Sequence, residues 1–429
     1  MGLGAACAVA VAVLIALTLL PAIALLFGER LRPKPRRQRR RTPSKHPRSG
    51  VATLWVHGVT RHPILTVLAV VAVLGLAAVP ALSLRLAIPD NSTAPISSTQ
   101  RQTYDKITAA FGEGYNAPLS VTADVITSSD PKGTVKDLAN AIKPIPGVVA
   151  VTQATPNEGG DTALIQVIPP AGQTAPSTTA LVNELRQRVP ALEKKYAVSG
   201  MLVTGSTAIN IDASARLGDA LLPFGIIVIG LSLILLMIVF RSIAVPVKAT
   251  LGYLLSVGAA LGAVVVVFQW GWLDSLLPGL ANGPIVSFLP IFVMGVLFGL
   301  AMDYEMFLVS AMREDFVRSD DAGQAVLRGF KASSRVVTAA ALIMVSVFVA
   351  FIPAGTATIQ QIAFGLAVGV FVDAFVVRMT LVPSVMVLLD RRACGSPGCS
   401  TGGFLSSTWK APRCTARSTS SSGRRPTAR

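Results

Sequence analysis

Residues 287–312 read SFLPIFVMGVLFGLAMDYEMFLVSAM, an apolar run that begins near Ile285 and is broken by a single Asp-Tyr-Glu triplet, Asp303-Tyr304-Glu305. A helix of this length crosses a bilayer, which sets Asp303 and Tyr304 well inside hydrocarbon. An ionised carboxylate at that depth costs at least about 2.5–3.5 kcal/mol on the mildest insertion scale, so a group of this kind points to protons, ions or substrate. The alternative is a satisfied polar contact between packed helices.

Working outward, six further apolar runs of similar character occur at about 3–27, 64–84, 217–240, 247–269, 335–353 and 361–389. Of the 429 residues, 52% are apolar and 14% charged, and mean hydropathy is +0.61. The fold class expected is an α-helical polytopic membrane protein of about seven spans with one extracytoplasmic α/β domain. The first run is too long for a signal-peptide core and follows no positive residue, so it reads as a spanning helix.

The net charge of +16 is carried by two segments. Residues 29–50 net +9 and residues 391–429 net +8, which leaves −1 for the remainder. Basicity confined to such stretches beside membrane helices is a topogenic signal and argues against nucleic-acid binding. Arg241 and Lys248 flank one short connection, and Arg313, Arg318, Arg328, Lys331 and Arg335 occupy another; 270–284 and 354–360 contain no Lys or Arg. The positive-inside rule makes the basic connections cytoplasmic, residues 85–216 extracytoplasmic and the C-terminus cytoplasmic. Seven spans then put the N-terminus outside, and a chain that begins directly with an outward-facing helix reads as cut.

The expected domain organisation is a first transmembrane helix at 1–28, a basic cytoplasmic linker at 29–50 and a second transmembrane helix at 51–84. An extracytoplasmic α/β domain follows at 85–216, then a five-helix bundle at 217–390 and a disordered basic tail at 391–429, whose abrupt Ser, Thr, Arg and Gly bias suggests a non-native end. Within 85–216, strand patterns at Pro118–Thr127, Val148–Thr152, Ala163–Ile168 and Tyr196–Thr204 alternate with helical patterns at Val135–Ile142 and Ser177–Leu192, the latter capped by Ser177 or Thr178. A helix at about Gln100–Phe111 leads in. The order β-α-β-β-α-β is that of a split βαβ sandwich.

Cys7, Cys394, Cys399 and Cys414 lack zinc-ligand spacing, and His46, His57 and His62 cluster before the second span, so neither a disulfide framework nor a metal centre is expected. No phosphate loop or nucleophile elbow is present, so no catalytic residue and no cofactor is assigned. Tyr304 offers a hydroxyl to the Asp303 carboxylate. Val296, Gly299, Phe307 and Ser310 share the Asp303 face, and Gly295 with Gly299 allows close helix approach. Glu305 lies about 200° round from Asp303 and is free to pair with Arg378 or meet an interface. Asp373 and Arg378 are five residues apart, about 140° round, which predicts partners on other helices for each. Gly365 and Gly369 repeat the small-residue spacing. Ser333, Ser334 and Thr338 either extend a polar chain or bond their own backbone.

Three stretches carry a resemblance: GLAMDYEMFLVSAMRE at 299–314, VVTAAALIM at 336–344 and VDAFVVRMTLVPSVM at 372–386. In order and spacing they resemble the MmpL branch of the resistance–nodulation–division (RND) superfamily over about residues 3–390. LTLLPAIALLFG at 17–28 resembles the last span of that family's N-terminal half, so the chain looks like the C-terminal half, with 85–216 as the second porter domain. The resemblance implies export of lipids or other amphiphiles across the cytoplasmic membrane, driven by proton influx, and no enzymatic activity. It implies that Asp303 and Tyr304 form a proton relay, with Glu305, Asp373 and Arg378 as accessory intramembrane charges. The family's relay also uses a second Asp-Tyr pair from an N-terminal half, which this sequence does not supply; the partners implied are lipid, protons and that half or a second subunit, with oligomeric state open. Rival readings are a non-transporting membrane accessory protein and an intramembrane aspartyl protease with Asp303 and Asp373 as dyad. Against the latter, Met302 precedes Asp303 where that class has Gly.

Overall fold

The computed structural model describes residues 2–27, 55, 58–59, 61–240, 243–273, 283–319, 322–353 and 356–389. The linker at 29–50, the tail at 391–429, and with them His46, His57 and three of the four cysteines, lie outside these residues. The chain divides into two units, residues 1–50 and 51–429. In the first, helix α1 (Gly2–Phe27) is apolar on every side. At about 39 Å it is long enough to span a bilayer.

The second unit begins with α2 (Pro63–Ala78), started by a proline at its first turn and continued by a 3₁₀ turn, Val79–Ser83. After β1 (Leu86–Ala87), α3 (Thr99–Phe111) opens on Ser98, whose hydroxyl accepts from the Arg101 amide. Then come β2 (Leu119–Asp124), α4 (Pro131–Ile142), β3 (Ala150–Pro156), β4 (Thr162–Ile168), α5 (Pro176–Tyr196) and β5 (Ser199–Thr204). The four strands form one sheet in the order β3-β4-β2-β5, every pair antiparallel, with β2 and β4 in register from Leu119–Val167 to Asp124–Thr162. This is the strand arrangement of a split βαβ sandwich. Alternation sets Leu119, Val121 and Ala123 of β2 against the buried stripe Val135, Leu138 and Ile142 of α4 and Leu181, Val182 and Leu185 of α5.

Two local expectations differ. Helix α5 is capped by neither Ser177 nor Thr178; Pro176 occupies its first turn after Ala175, and the Thr178 hydroxyl donates to the carbonyls of Ala171 and Gly172. Tyr196 ends that helix instead of starting β5, because Ala197 takes the left-handed conformation at φ 53° that terminates it.

Helix α6 (Ser206–Phe240) leads to α7 (Ala244–Val264), which runs on through a π turn, Val265–Gln269. Then follow β6 (Ile285–Val286), α8 (Leu289–Ser319), α9 (Ala322–Phe351), α10 (Ala357–Phe371), a π-helical stretch Val372–Leu381 and α11 (Val382–Leu389). Among the described residues, five helices are long and apolar enough to cross a membrane: Ala6–Phe27, Pro63–Ser83, Ser206–Ile238, Pro246–Gln269 and Ala357–Val385; the apolar parts of α8 and α9, Leu289–Asp303 and Val336–Phe351, are shorter. The basic connection expected between the fifth and sixth spans is largely helical, since α8 extends to Ser319 and α9 starts at Ala322.

Helix α7 is the centre of the bundle, packed against α2, α6, α8 and α10. Glycine makes two close approaches within the bundle. A Cβ on Gly262 would overlap the Ala77 carbonyl of α2, and one on Gly369 of α10 would lie 2.5 Å from Leu297 Cδ1 of α8.

The expected span at 285–312 does not start as helix. Ile285 and Val286 pair in parallel with Leu86 and Ala87. The pair is held from the bundle by Gln361 of α10, whose Oε1 accepts from the Val286 amide at 2.9 Å and whose Nε2 donates to the Pro284 carbonyl at 3.3 Å. Gln269 clamps the preceding turn through the Arg85 amide at 3.0 Å and the Ser83 carbonyl at 2.8 Å. The irregular backbone where sheet and helices meet is thus satisfied by two glutamine amides.

Candidate functional site

Four charged side chains meet inside the bundle, each under 10% exposed: Lys248 of α7, Glu305 of α8, and Asp373 and Arg378 of the π-helical stretch. Lys248 Nζ lies 2.9 Å from Glu305 Oε1, Arg378 Nη1 lies 3.6 Å from Glu305 Oε2, and Arg378 Nε lies 2.6 Å from Asp373 Oδ2. Arg378 Nη2 also donates to the Ala301 carbonyl of α8. The result is a chain Lys248–Glu305–Arg378–Asp373 with two positive and two negative groups. Neutrality and close pairing make such a cluster tolerable at low dielectric. It ties three helices together, and Arg378 reaches α8 twice.

Glu305 pairs with Arg378, one of the alternatives open to it. Arg378 finds the partner on another helix that its position predicts, in Glu305 and the Ala301 carbonyl of α8. Asp373 is a correction: it was expected to seek another helix, yet it bridges to Arg378 within its own. The 140° separation applies to an α-helix. Residues 372–381 are π-helical, and the wider i→i+5 repeat brings positions five apart onto one face.

Lys248 was read only as a charge beside a cytoplasmic connection. It sits inside α7, buried at 7% exposure. The signal that singled out Asp303 applied equally here, since an ionisable residue within an apolar helix calls for a partner.

Asp303 is exposed, and no side-chain partner contacts it among the described residues. Its backbone neighbour Glu305, two positions on, is buried, as a 200° rotation requires. The Tyr304, Phe307 and Ser310 side chains lie outside the described residues. A Cβ on Gly299 would meet nothing within 4 Å, while one on Gly295 would make an ordinary 3.8 Å contact with Phe224. At Gly299 and Asp303, α8 thus meets no other helix among the described residues. Val296, one turn before Gly299 on the same face, still packs against the core, and the opposite face is locked by Glu305.

The structure does not assemble Asp303 and Asp373 as a dyad sharing a proton. Asp303 is exposed, and Asp373 is buried against Arg378. Thr338 donates to the Ser334 carbonyl at 2.6 Å, so its hydroxyl is used within its own helix; the Ser333 side chain lies outside the described residues. Among the described residues, no group of three or more His, Cys, Asp or Glu side chains is placed to hold a metal ion.

Comparison with known proteins supplies the context. The MMPL family matches residues 1–66 and 94–422. Membrane protein YdfJ of Bacillus subtilis is 41% identical over 396 residues, 92% of this chain and 53% of the relative. The mycolic acid-containing lipids exporter MmpL11 of Mycolicibacterium smegmatis is 31% identical over 398 residues, 91% of this chain and 41% of its own. The heme uptake protein MmpL11 of Mycobacterium tuberculosis is 33% identical over 403 residues, 91% of this chain and 40% of its own. The chain thus spans about half the length of the curated relatives it matches.

Proposed function

The chain belongs to the MMPL family of polytopic membrane proteins, and from that premise we propose that it forms the C-terminal half of a proton-driven exporter of lipids or other amphiphiles. In this reading the protein lies in the cytoplasmic membrane with seven spans. Residues 85–216 form an extracytoplasmic porter domain, and the C-terminus is cytoplasmic.

The observation that carries the reading is the contrast on α8. Glu305 is buried and neutralised by Lys248 and Arg378, while Asp303 stands exposed on the other face with no side-chain partner among the described residues. Asp303 and Tyr304 are the proton-carrying pair in this proposal, facing the remaining half of the transporter. The Lys248–Glu305–Arg378–Asp373 chain holds α8 to α7 and α10. Protonation of Asp303 then removes a charge from the open face and shifts α8 together with the helices bound to it. The β1–β6 pair and Gln361 give that motion a route to the sheet domain.

Cargo class rests on the relatives' names: one handles mycolic acid-containing lipids and another heme, both bulky and largely apolar.

The test is Asp303→Asn in the complete two-half transporter, reconstituted in liposomes carrying an imposed pH gradient and a fluorescent lipid cargo. Loss of gradient-driven transport with normal membrane insertion is expected. Undiminished transport in that variant would sink the relay role of Asp303.

A further inference from the structure

The outer edge of the sheet carries a second constellation, far in sequence from the membrane charges. Among the described residues, strand β3 is the last strand of the sheet, bonded to β4 alone. It contains no charged residue, and none occurs from Pro144 to Asn157. Edge strands are blunted by charges, prolines or bulges. Strand β3 has no charge, a bulge between Val151 and Gln153 and a proline at its end, Pro156, which leaves Gln153–Thr155 in regular register with their edge uncharged.

Beside this edge runs a cleft of about 470 Å³, lined on one wall by Lys132, Lys136 and Asn140 of α4 and by Lys143 at its C-terminal cap, and on the other by strand residues that include Thr152 and Thr155. No carboxylate lines it. All three lysines are exposed, because α4 spends its apolar stripe on the core beneath. Helix α4 begins beside the β3–β4 turn, where a Cβ on Gly160 would lie 3.9 Å from Pro131 Cγ, and returns to the start of β3, so the lysines run along the strand.

We propose that this cleft is a docking groove for an extended acidic segment of a partner protein. The segment adds to the free edge of β3 as a fifth strand and sets alternate carboxylates against Lys132, Lys136 and Lys143. Dimensions favour a strand over a compact anion. Eleven helical residues separate the outer lysines, about 16 Å, and acids at three alternate positions of a strand span about 13 Å. Backbone bonding to an open edge with side-chain selection at alternate positions is an established mode of peptide recognition. A second copy of this chain is a poor occupant, since edge-to-edge pairing would bring two lysine rows together.

The probe is a fluorescent peptide, Thr-Glu-Val-Glu-Val-Glu-Thr, titrated into the detergent-solubilised full chain, with Lys in place of Glu as control. Binding of the acidic peptide alone is expected, weakened at about 0.5 M salt, together with slowed amide hydrogen exchange across 150–155. Lys132→Glu/Lys136→Glu/Lys143→Glu should weaken it by about tenfold or more, and Lys136→Ala by a smaller factor with unchanged thermal unfolding. Equal affinity in both variants, or binding without slowed exchange of β3, would overturn the proposal. So would a site that takes phosphatidylglycerol vesicles through the same lysines and ignores the peptide, which would make it a lipid head-group site.

Discussion

Among the described residues Arg378 contacts both Glu305 and Asp373, and removing its guanidinium would leave the buried Asp373 carboxylate without a cation, while Glu305 keeps Lys248. Breaking a buried pair by deleting one partner costs about 3–5 kcal/mol. Arg378→Met is therefore expected to be the most destabilising change in the network, with Lys248→Met milder because Glu305 keeps Arg378. The double variant Lys248→Met/Glu305→Gln restores neutrality around Arg378 and Asp373 and should be more stable than either single variant. Thermal unfolding of the detergent-solubilised chain checks this, and strict additivity would show that the four groups do not act as one network. Glu305, Asp373 and Arg378 were legible in the sequence from their depth in apolar runs, and the Glu305–Arg378 pairing was one of the alternatives it left open, but the Asp373–Arg378 and Lys248–Glu305 pairs were not legible. Asp373 and Arg378 face each other only after the backbone shifts to π geometry. Lys248 was hidden by its place near a helix end, where a cation has an ordinary topogenic explanation.

A second residue gives a pH signature to the sheet domain. The Tyr104 hydroxyl donates to Glu113 Oε1 at 3.4 Å. Burial first, and the charges of Asp90 and Glu113 after it, push its pKa up from 10 to about 12. A folded value above the unfolded one means that stability is fully present below pH 10 and is lost as pH rises toward 12. Alkaline titration followed by circular dichroism should show destabilisation in that window, and Tyr104→Phe should reduce it. An unchanged profile in the variant would assign the loss to other groups.

Between elements, the glycines of α8 and α10 make opposite predictions. A methyl group on Gly369 runs into Leu297, so Gly369→Ala should destabilise by about 1–3 kcal/mol, the range for overpacking. A methyl on Gly299 meets open space, so Gly299→Ala should leave the unfolding temperature of this chain unchanged. Should it nevertheless abolish transport by the complete protein, the α8 face beside Asp303 would be a packing surface for the other half. Sequence spacing treated the two pairs alike, because G-x-x-x-G states that a helix permits close approach and says nothing of whether a neighbour is present. The period-two alternation of β2 and β4 and the amphipathic stripes of α4 and α5 made the sheet domain readable. The β1–β6 pair escaped, since two-residue strands have no period and Ile285-Val286 merges with the apolar run after it.

For the whole molecule, the orientation in the membrane decides whether the proposed machine can work. A porter domain must lie on the side to which cargo is delivered, and the Asp303 pair must exchange protons between the two sides. The argument for orientation is charge: Arg313, Arg318, Arg328, Lys331 and Arg335 fall between the apolar parts of α8 and α9, whereas 270–284 and 354–360 contain no cation. With native cysteines replaced by serine, a single cysteine at Ser128, between β2 and α4, should react with a membrane-impermeant maleimide in intact cells. One at Arg328 should react only after permeabilisation. The reverse pattern would place the sheet domain in the cytoplasm, and export through it would then fail whatever Asp303 does. The expected pattern, combined with loss of gradient-driven transport in Asp303→Asn, would put the proton-carrying carboxylate and the cargo-handling domain in the order that coupled export requires.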